Sequence, residues 1–227
     1  MRRPSRSFSL QGTVMQMTDL SGIRLGFALC GSFCNAARAL EAAKACADAG
    51  AEILPVVSEH FAGMETRFGT PEDFLAPLRT LGGGRLIASI PEAEPIGPKN
   101  LTDVLAVCPC TGNLLAKLSA GITDGTVPMA VKSHLRGGKP VVLCIATNDG
   151  LSASARNIGD LLNRRHYYFV PFGQDDPEKK PTSLVADFSA LPETVAAAVR
   201  GVQLQPVLKV SLRDDDKWAP PKPAKGS

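Results

Sequence analysis

Apolar residues along this chain fall into two kinds of run, and their spacing places most of the elements. Four runs are short and nearly unbroken: IRLGFAL from Ile23, AEILPVVS from Ala51, DVLAVCP from Asp103 and KPVVLCIA from Lys139. They have strand length and the continuous hydrophobicity of strands covered on both faces. Between them alanine and leucine recur at helical spacing, first from about Asn35 to Ala49, with Gly50 as the closing residue. Strand, glycine-containing turn, helix, strand is a βαβ unit, the building block of a parallel sheet.

Further along, Thr70 followed by Pro71, with Asp73 three residues on, predicts a capped helix from Pro71 to about Thr80. RLIASI reads as a strand, and the three prolines of PEAEPIGPKN exclude regular structure. Helices are expected over Leu114–Ala120, Met129–Leu135, a stretch starting near Ser152, and Leu191–Arg200, with YYFVPF and QLQPVLKV as edge strands. The sum is an α/β fold: a three-layer αβα, Rossmann-like domain with a mostly parallel sheet of about six strands over residues 21–208. Residues 1–20 are expected to be a disordered leader, and 209–227, polar and proline-rich, a disordered tail. Ligands in such sheets bind beyond the carboxyl ends of the strands, where the winding reverses. Four loops therefore matter for function: Cys30–Asn35, Ser58–Gly69, Pro109–Asn113 and Thr147–Ser154.

Composition narrows the function classes. The chain has 227 residues, 44% hydrophobic, enough for one core without disulfide or metal support. Its 25 basic residues nearly balance 22 acidic ones, so nucleic acid is not an expected partner. The N-terminal stretch lacks a sustained apolar run and no later run exceeds strand length, so neither a signal peptide nor a membrane span is expected, and the location is read as cytoplasmic. The six cysteines sit in apolar or helical contexts, as Cys30, Cys46 and Cys144 illustrate, which is the pattern of reduced, buried thiols.

Two loops carry candidate chemistry. Gly31–Ser32, at a strand-to-helix turn, suits phosphate: glycine permits close approach, serine offers a hydroxyl, and the first helical amides are unpaired. A plain tight turn accounts for the same residues, and the G-x-G-x-x-G dinucleotide fingerprint is absent. In LAVCPCTGNLLAKLSAGITDG, the Cys108–Pro109–Cys110 pair suggests metal or thiol chemistry. His60, His134 and His166 are scattered, however, and C-x-C is not the usual redox spacing, so no metal site is expected. Thr111, Gly112 and Asn113 place a hydroxyl, a bare backbone and an amide between strand and helix. Helix capping alone explains one of them.

That run resembles the P-x-(S/T)-x-N-x-x-x-K-x-x-x-G-x-x-D signature of the flavin-binding, cysteine decarboxylase-like flavoprotein family, matched by Pro109, Thr111, Asn113, Lys117, Gly121 and Asp124. The resemblance implies an FMN pocket near subunit contacts in a homo-oligomer. It puts Gly31 and Ser32 in the flavin-phosphate loop, Ser58 in the loop after the second strand, and Pro109, Thr111, Gly112 and Asn113 beside the cofactor. A narrower resemblance covers residues 21–208 through blocks such as EILPVVSEH, EAEPIGPK and YFVPFGQDDPEKKPTSLVA. It points to the B-subunit family of two-chain synthases that make pyridine-2,6-dicarboxylate during bacterial endospore formation.

That resemblance implies half of an oxidoreductase acting on a dihydro- or hydroxytetrahydrodipicolinate precursor. It also implies a dehydrogenase-like A subunit carrying NADP or NAD, and the mother-cell cytoplasm as location. For a dicarboxylate ligand the candidates are Asn113, Lys117, Asn148, Lys179 and Lys180, with Arg67 and Lys132 as further cations, although a solvated loop accounts for Lys179 and Lys180 equally. The decarboxylases' proline- and methionine-rich A-P-A-M-N loop is replaced by VVLCIATNDGLS, where Asn148 corresponds to the asparagine, and their substrate clamp is missing. His60 lies near their catalytic histidine in a different context. Three readings stay open: a flavoprotein-like subunit of the oxidoreductase, a non-catalytic stabilising or binding subunit, and a stand-alone FMN-dependent decarboxylase.

Overall fold

The computed structural model describes residues 18–209, so the expectations for 1–17 and 210–227 lie outside the described residues. Leu20 is fully buried, and its amide donates to the Ala49 carbonyl at 2.7 Å. Lys209 donates its amide to Phe172 at 2.8 Å. The packed structure therefore extends slightly beyond 21–208 on both sides.

The chain opens with β1 (Arg24–Leu29), α1 (Ala36–Asp48) and β2 (Glu52–Val57), the expected βαβ unit. Gly50 adopts φ +101, the left-handed conformation that ends α1. There follow α2 (Glu59–Gly63), α3 (Pro71–Leu81) and α4 (Ile90–Ala93), then β3 (Val104–Cys110), α5 (Gly112–Ala120) and α6 (Thr126–Leu135). The remainder is β4 (Val141–Thr147), α7 (Ala155–Leu162), β5 (Tyr167–Phe169), β6 (Phe172–Gly173), β7 (Leu184–Ala186) and α8 (Leu191–Val199). At the start of α3 the capping box is complete: Thr70 and Asp73 each satisfy the other's backbone.

The sheet is mixed. Five strands pair in parallel in the order β2-β1-β3-β4-β5. The first half of β4, Val141–Leu143, holds β5, while Ala146 and Thr147 at its far end hold β7 antiparallel, and β7 in turn holds β6. The expected mostly parallel sheet of about six strands is thus seven: five parallel strands, plus two antiparallel strands of two and three residues that are too short to show a period of two. β3 and the first six residues of β4 are buried, the burial their sequences predict.

Three further expectations are corrected. RLIASI is not a strand: Ile87 alone bridges to Val56, because the chain leaves the Gly82–Gly84 turn at Arg85 and enters α4 at Ile90. PEAEPIGPKN is partly helical, forming most of α4 and a 3-10 turn at Glu94–Ile96. Pro91 and Pro95 sit in first turns, where a missing N–H costs nothing. QLQPVLKV contributes one bridge, Leu208 to Phe172, rather than a strand.

Candidate functional site

The winding of the sheet reverses between β1 and β3, since β2 lies on one side of β1 and every later strand on the other. The crevice of a doubly wound sheet lies at the carboxyl ends of such a pair. Here that means Cys30–Asn35 and Pro109–Asn113, two of the four loops singled out above. They are in contact: the Cys30 thiol donates to the Pro109 carbonyl at 3.2 Å. Gly31 has φ +25, and a Cβ there would lie 3.7 Å from the Thr111 methyl.

The helix starts around this crevice are satisfied in different ways. Thr111 Oγ1 accepts from the Leu114 amide and caps α5; Ser58 Oγ accepts from the Phe61 amide and caps α2. A 3-10 turn, Phe33–Asn35, leads into α1, and neither its first flanking residue Ser32 nor Asn35 before α1 caps the backbone with its side chain. Their side chains bond each other, Asn35 Nδ2 donating to Ser32 Oγ at 2.9 Å, and no acidic residue lies in the first turn. The Asn35 and Ala36 amides bond back to the Ser32 and Phe33 carbonyls, while the turn and α1 begin without a side-chain cap, which leaves partial positive charge behind Gly31.

Gly112 is held from the other side. A Cβ at this residue would meet Thr147 Oγ1, Asp149 Oδ1 and Ser154 Oγ, each at 2.7 Å. Those three side chains form one cluster, in which the Thr147 and Ser154 hydroxyls both donate to Asp149 Oδ1. The β4 loop is thereby packed onto the first residue of α5. The sequence marks the loop Thr147–Ser154 and Asn148 within it but not the bonding around Asp149, although an aspartate flanked by threonine and serines is a frequent source of such local bonds. Gly112→Ala is expected to lower stability by about 1–2 kcal/mol, because the three atoms it meets are the ends of side chains that can shift. Urea unfolding checks this, and an unmoved midpoint would show that the cluster does not press on Gly112.

Cys108 and Cys110 are fully buried in β3. Burial, with the other thiols nearby, pushes both well above the usual thiol range, and burial lifts Cys30 to about 11. None of the three is a thiolate near neutral pH, which removes nucleophilic chemistry from the stretch that first suggested it. Cys34, on the loop between β1 and α1, is exposed, which corrects the expectation that all six thiols are buried. Among the described residues, no group of three or more His, Cys, Asp or Glu could hold a metal ion, and no helix is long and apolar enough to cross a membrane.

The other candidates disperse. Asn113 is exposed and, with Lys117, lines a groove between α5 and α7 that also takes in Arg156 and Asn157. Lys117 is paired with Asp124 at 2.8 Å. The signature's lysine and aspartate thus meet each other around the exit of α5, where Gly121 closes the helix at φ +72. Asn148 is exposed, and its carbonyl accepts from Thr182 Oγ1 at 2.6 Å. Lys179 and Lys180 are exposed on a separate loop; Lys180 lies 3.5 Å from Asp175, and the Lys179 amide donates to Asp176. Arg67 stacks its guanidinium over Phe68, and Lys132 lies on α6, in a different cavity from Asn113.

One residue went unread. Glu59, after β2, accepts from the amide and hydroxyl of Thr126 at 2.9 and 2.7 Å, capping α6 across the fold. Burial works against its charge, but these bonds outweigh it and hold the carboxyl below its usual range. The signal was Gly125, which precedes α6 without a side chain to cap it.

Comparison with known proteins agrees with the geometry. Residues 15–183 match the family model described as Flavoprotein. The B subunit of dipicolinate synthase from Bacillus subtilis (strain 168) is 40% identical over 200 residues, covering 88% of this chain and all of that one. The crystal structure of the dipicolinate synthase B subunit from Bacillus halodurans C superposes with a TM-score of 0.78 at 39% identity, covering 85% of this chain and 99% of the other. An FMN-dependent cysteine decarboxylase, SpaF, shares the fold at a TM-score of 0.57 and 20% identity, over 79% of this chain and 98% of that one. Full coverage of a relative at 40% identity, with a strand order that brings the signature loop to the switch point, makes this chain a member of the flavoprotein family and, within it, of the dipicolinate synthase B subunits.

Proposed function

We propose that the chain works as the B subunit of a dipicolinate synthase, forming pyridine-2,6-dicarboxylate from a dihydro- or hydroxytetrahydrodipicolinate precursor together with a dehydrogenase-like A subunit that carries NADP or NAD. The observation that carries this reading is the 40% identity that spans the whole of the Bacillus subtilis B subunit.

The crevice suits FMN. The uncapped 3-10 turn that leads into α1, with Gly31 and Ser32 in front of it and no carboxylate in its own or α1's first turn, offers amide and hydroxyl donors for the phosphate end. Thr111, Gly112 and Asn113 would border the ring, with Pro109 behind them and Ser58 at the neighbouring strand end. Bound there, a flavin supplies an acceptor for hydride. The chain's own contribution is to bind and orient. In the adjoining α5–α7 groove Asn113 presents an exposed amide, and Lys117 a cation whose side chain is already positioned by Asp124. Such groups hold a dicarboxylate through charge-assisted hydrogen bonds. Asn148, Lys179 and Lys180 lie on loops of their own; a part for Asn148 rests on the resemblance, and one for the two lysines on their charge in a proline-interrupted loop.

A second reading, a B subunit that stabilises or completes its partner without chemistry of its own, is favoured by one observation. In the crevice Cys30, Cys108 and Cys110 are buried and held protonated, and Asp149 is occupied by Thr147 and Ser154, which leaves few groups free to move a proton. A stand-alone decarboxylase has the least support, since the methionine loop and clamp are missing.

Co-expression with the A subunit, followed by product assay of each chain alone and of the pair, tests the proposal. Product is expected from the pair and not from this chain alone. Full activity of the A subunit by itself would overturn a role in the reaction. Yellow flavin absorbance in the purified chain separates the flavoprotein reading from the second one.

A further inference from the structure

A cavity of about 430 Å³ lies between α5, α6 and the start of β5, and none of the four strand-end loops lines it. That volume is within the roughly 300–1,000 Å³ of small-molecule sites. Its walls are apolar: Leu118 and Val131 are 5% and 1% exposed, and Pro128 and Leu135 continue the surface. Its charged lining is cationic only. Lys132 and Arg136 stand one turn apart at the end of α6, and Arg164 faces them from beyond α7; no carboxylate lines the cavity.

The three cations are not equivalent. Arg164 is fixed: its guanidinium donates to the carbonyls of Leu118 and Ser119 at 3.3 and 2.6 Å and pairs with Asp160 at 2.7 Å. Lys132 and Arg136 have no ion pair or side-chain hydrogen bond among the described residues. Like charges four residues apart on a helix repel, so this pair weakens α6 unless an anion lies between them. The half-buried Tyr167 also lines the cavity, as does Thr123, and the tyrosine hydroxyl has no partner among the described residues. Burial pushes that phenol up to about 12, so it remains a donor at neutral pH.

We propose that this cavity is a binding site for a planar aromatic carboxylate, its ring against the apolar walls and its carboxylate met by Lys132, Arg136 and the Tyr167 hydroxyl. A bare anion leaves the apolar walls unused, and an uncharged ring leaves two cations and a phenol unpaired. Arginine adds a flat face that stacks on rings. Pyridine-2,6-dicarboxylate belongs to this class, but so does benzoate, and the inference rests on the cavity rather than on the reaction proposed above.

The test is calorimetric titration of the full chain, without a partner subunit, with pyridine-2,6-dicarboxylate and with benzoate at low and high salt. Saturable binding that weakens with salt is expected. The double variant Lys132→Gln/Arg136→Gln should weaken it by roughly tenfold or more, and Tyr167→Phe by roughly threefold or more. Lys44→Gln, which removes a paired surface cation on α1, should leave it unchanged. Absence of saturable heat with both ligands overturns the site. Binding retained in the double variant places the ligand elsewhere, which also overturns it while leaving the proposed function standing. If neither ligand binds and the double variant changes the sedimenting mass, the cavity is a contact between chains and the proposal fails.

Discussion

Replacing Gly97 by alanine is expected to destabilise the protein by about 3 kcal/mol or more, the range in which overpacking against immovable atoms falls. Gly97 ends the 3-10 turn after α4, where the chain crosses α6. Its amide donates to Ser133 Oγ at 2.9 Å, and that hydroxyl donates to the Glu94 carbonyl at 2.6 Å. A Cβ on residue 97 would overlap the Ser133 carbonyl oxygen, and the Ser133 carbonyl carbon would lie 2.7 Å away. Both are backbone atoms of a buried helical turn, so no rotamer change relieves the clash; the turn and α6 must separate, and both serine bonds are lost with the move. For a chain of this length the thermal midpoint should fall by about 10 °C. Gly159→Ala is the control of opposite sign. Inside α7, with nothing within 4 Å of its would-be Cβ and no positive φ, it should gain about 0.5–1 kcal/mol from helix propensity. Equal midpoints for Gly97→Ala and the parent would show that the two elements are not in backbone contact.

Acid should weaken the fold well before its carboxylates protonate, and His134 is the reason. It is 1% exposed on α6. Nε2 faces the Pro140 carbonyl at 3.0 Å, an acceptor only, so that nitrogen carries the proton, and Nδ1 accepts from the Thr102 hydroxyl at 2.9 Å. The ring ties α6 to the segments that lead into β3 and β4. Burial depresses its pKa to about 4, with Lys139 adding to the effect and the Pro140 bond and Asp103 opposing it. Unfolded, the residue titrates at its ordinary value near 6.5. Between those values the unfolded chain binds the extra proton, so stability is complete above pH 6.5 and falls as pH drops toward 4, by about 3 kcal/mol in all. Asp103, held down to about 2 chiefly by its hydrogen bonds with Arg24, loses its contribution only below its ordinary 3.8, so the two windows do not overlap. His134→Gln keeps a donor and an acceptor but does not titrate. Urea midpoints measured from pH 7 to 4.5 should slope downward in the parent and run nearly flat in that variant. Parallel slopes would assign the acid sensitivity to another group.

Along the chain, most of what depends on neighbours in sequence could be read in advance, the short helical turns that begin at Pro91 and Pro95 excepted. The four buried strands announced themselves by unbroken apolar runs, α1 by its alanine spacing, and α3 by the Thr70–Asp73 box. The signature around Pro109–Asp124 was legible for the same reason: it is one strand end, one helix and one exit, and the Lys117–Asp124 pair within it spans seven residues. Only packing in three dimensions could decide the rest. β6 and β7 are too short for a pattern, and they exist because the end of β4 offers them unpaired backbone. The cage of Thr147, Asp149 and Ser154 against Gly112, and the reach of Glu59 to Thr126, each depend on which elements become neighbours. So does the meeting of Lys132, Arg136 and Tyr167 around one apolar cavity. Local propensity and hydrophobic period act over a few residues, whereas hydrogen bonding and burial are settled by groups tens of residues apart that only the folded sheet brings within ångströms.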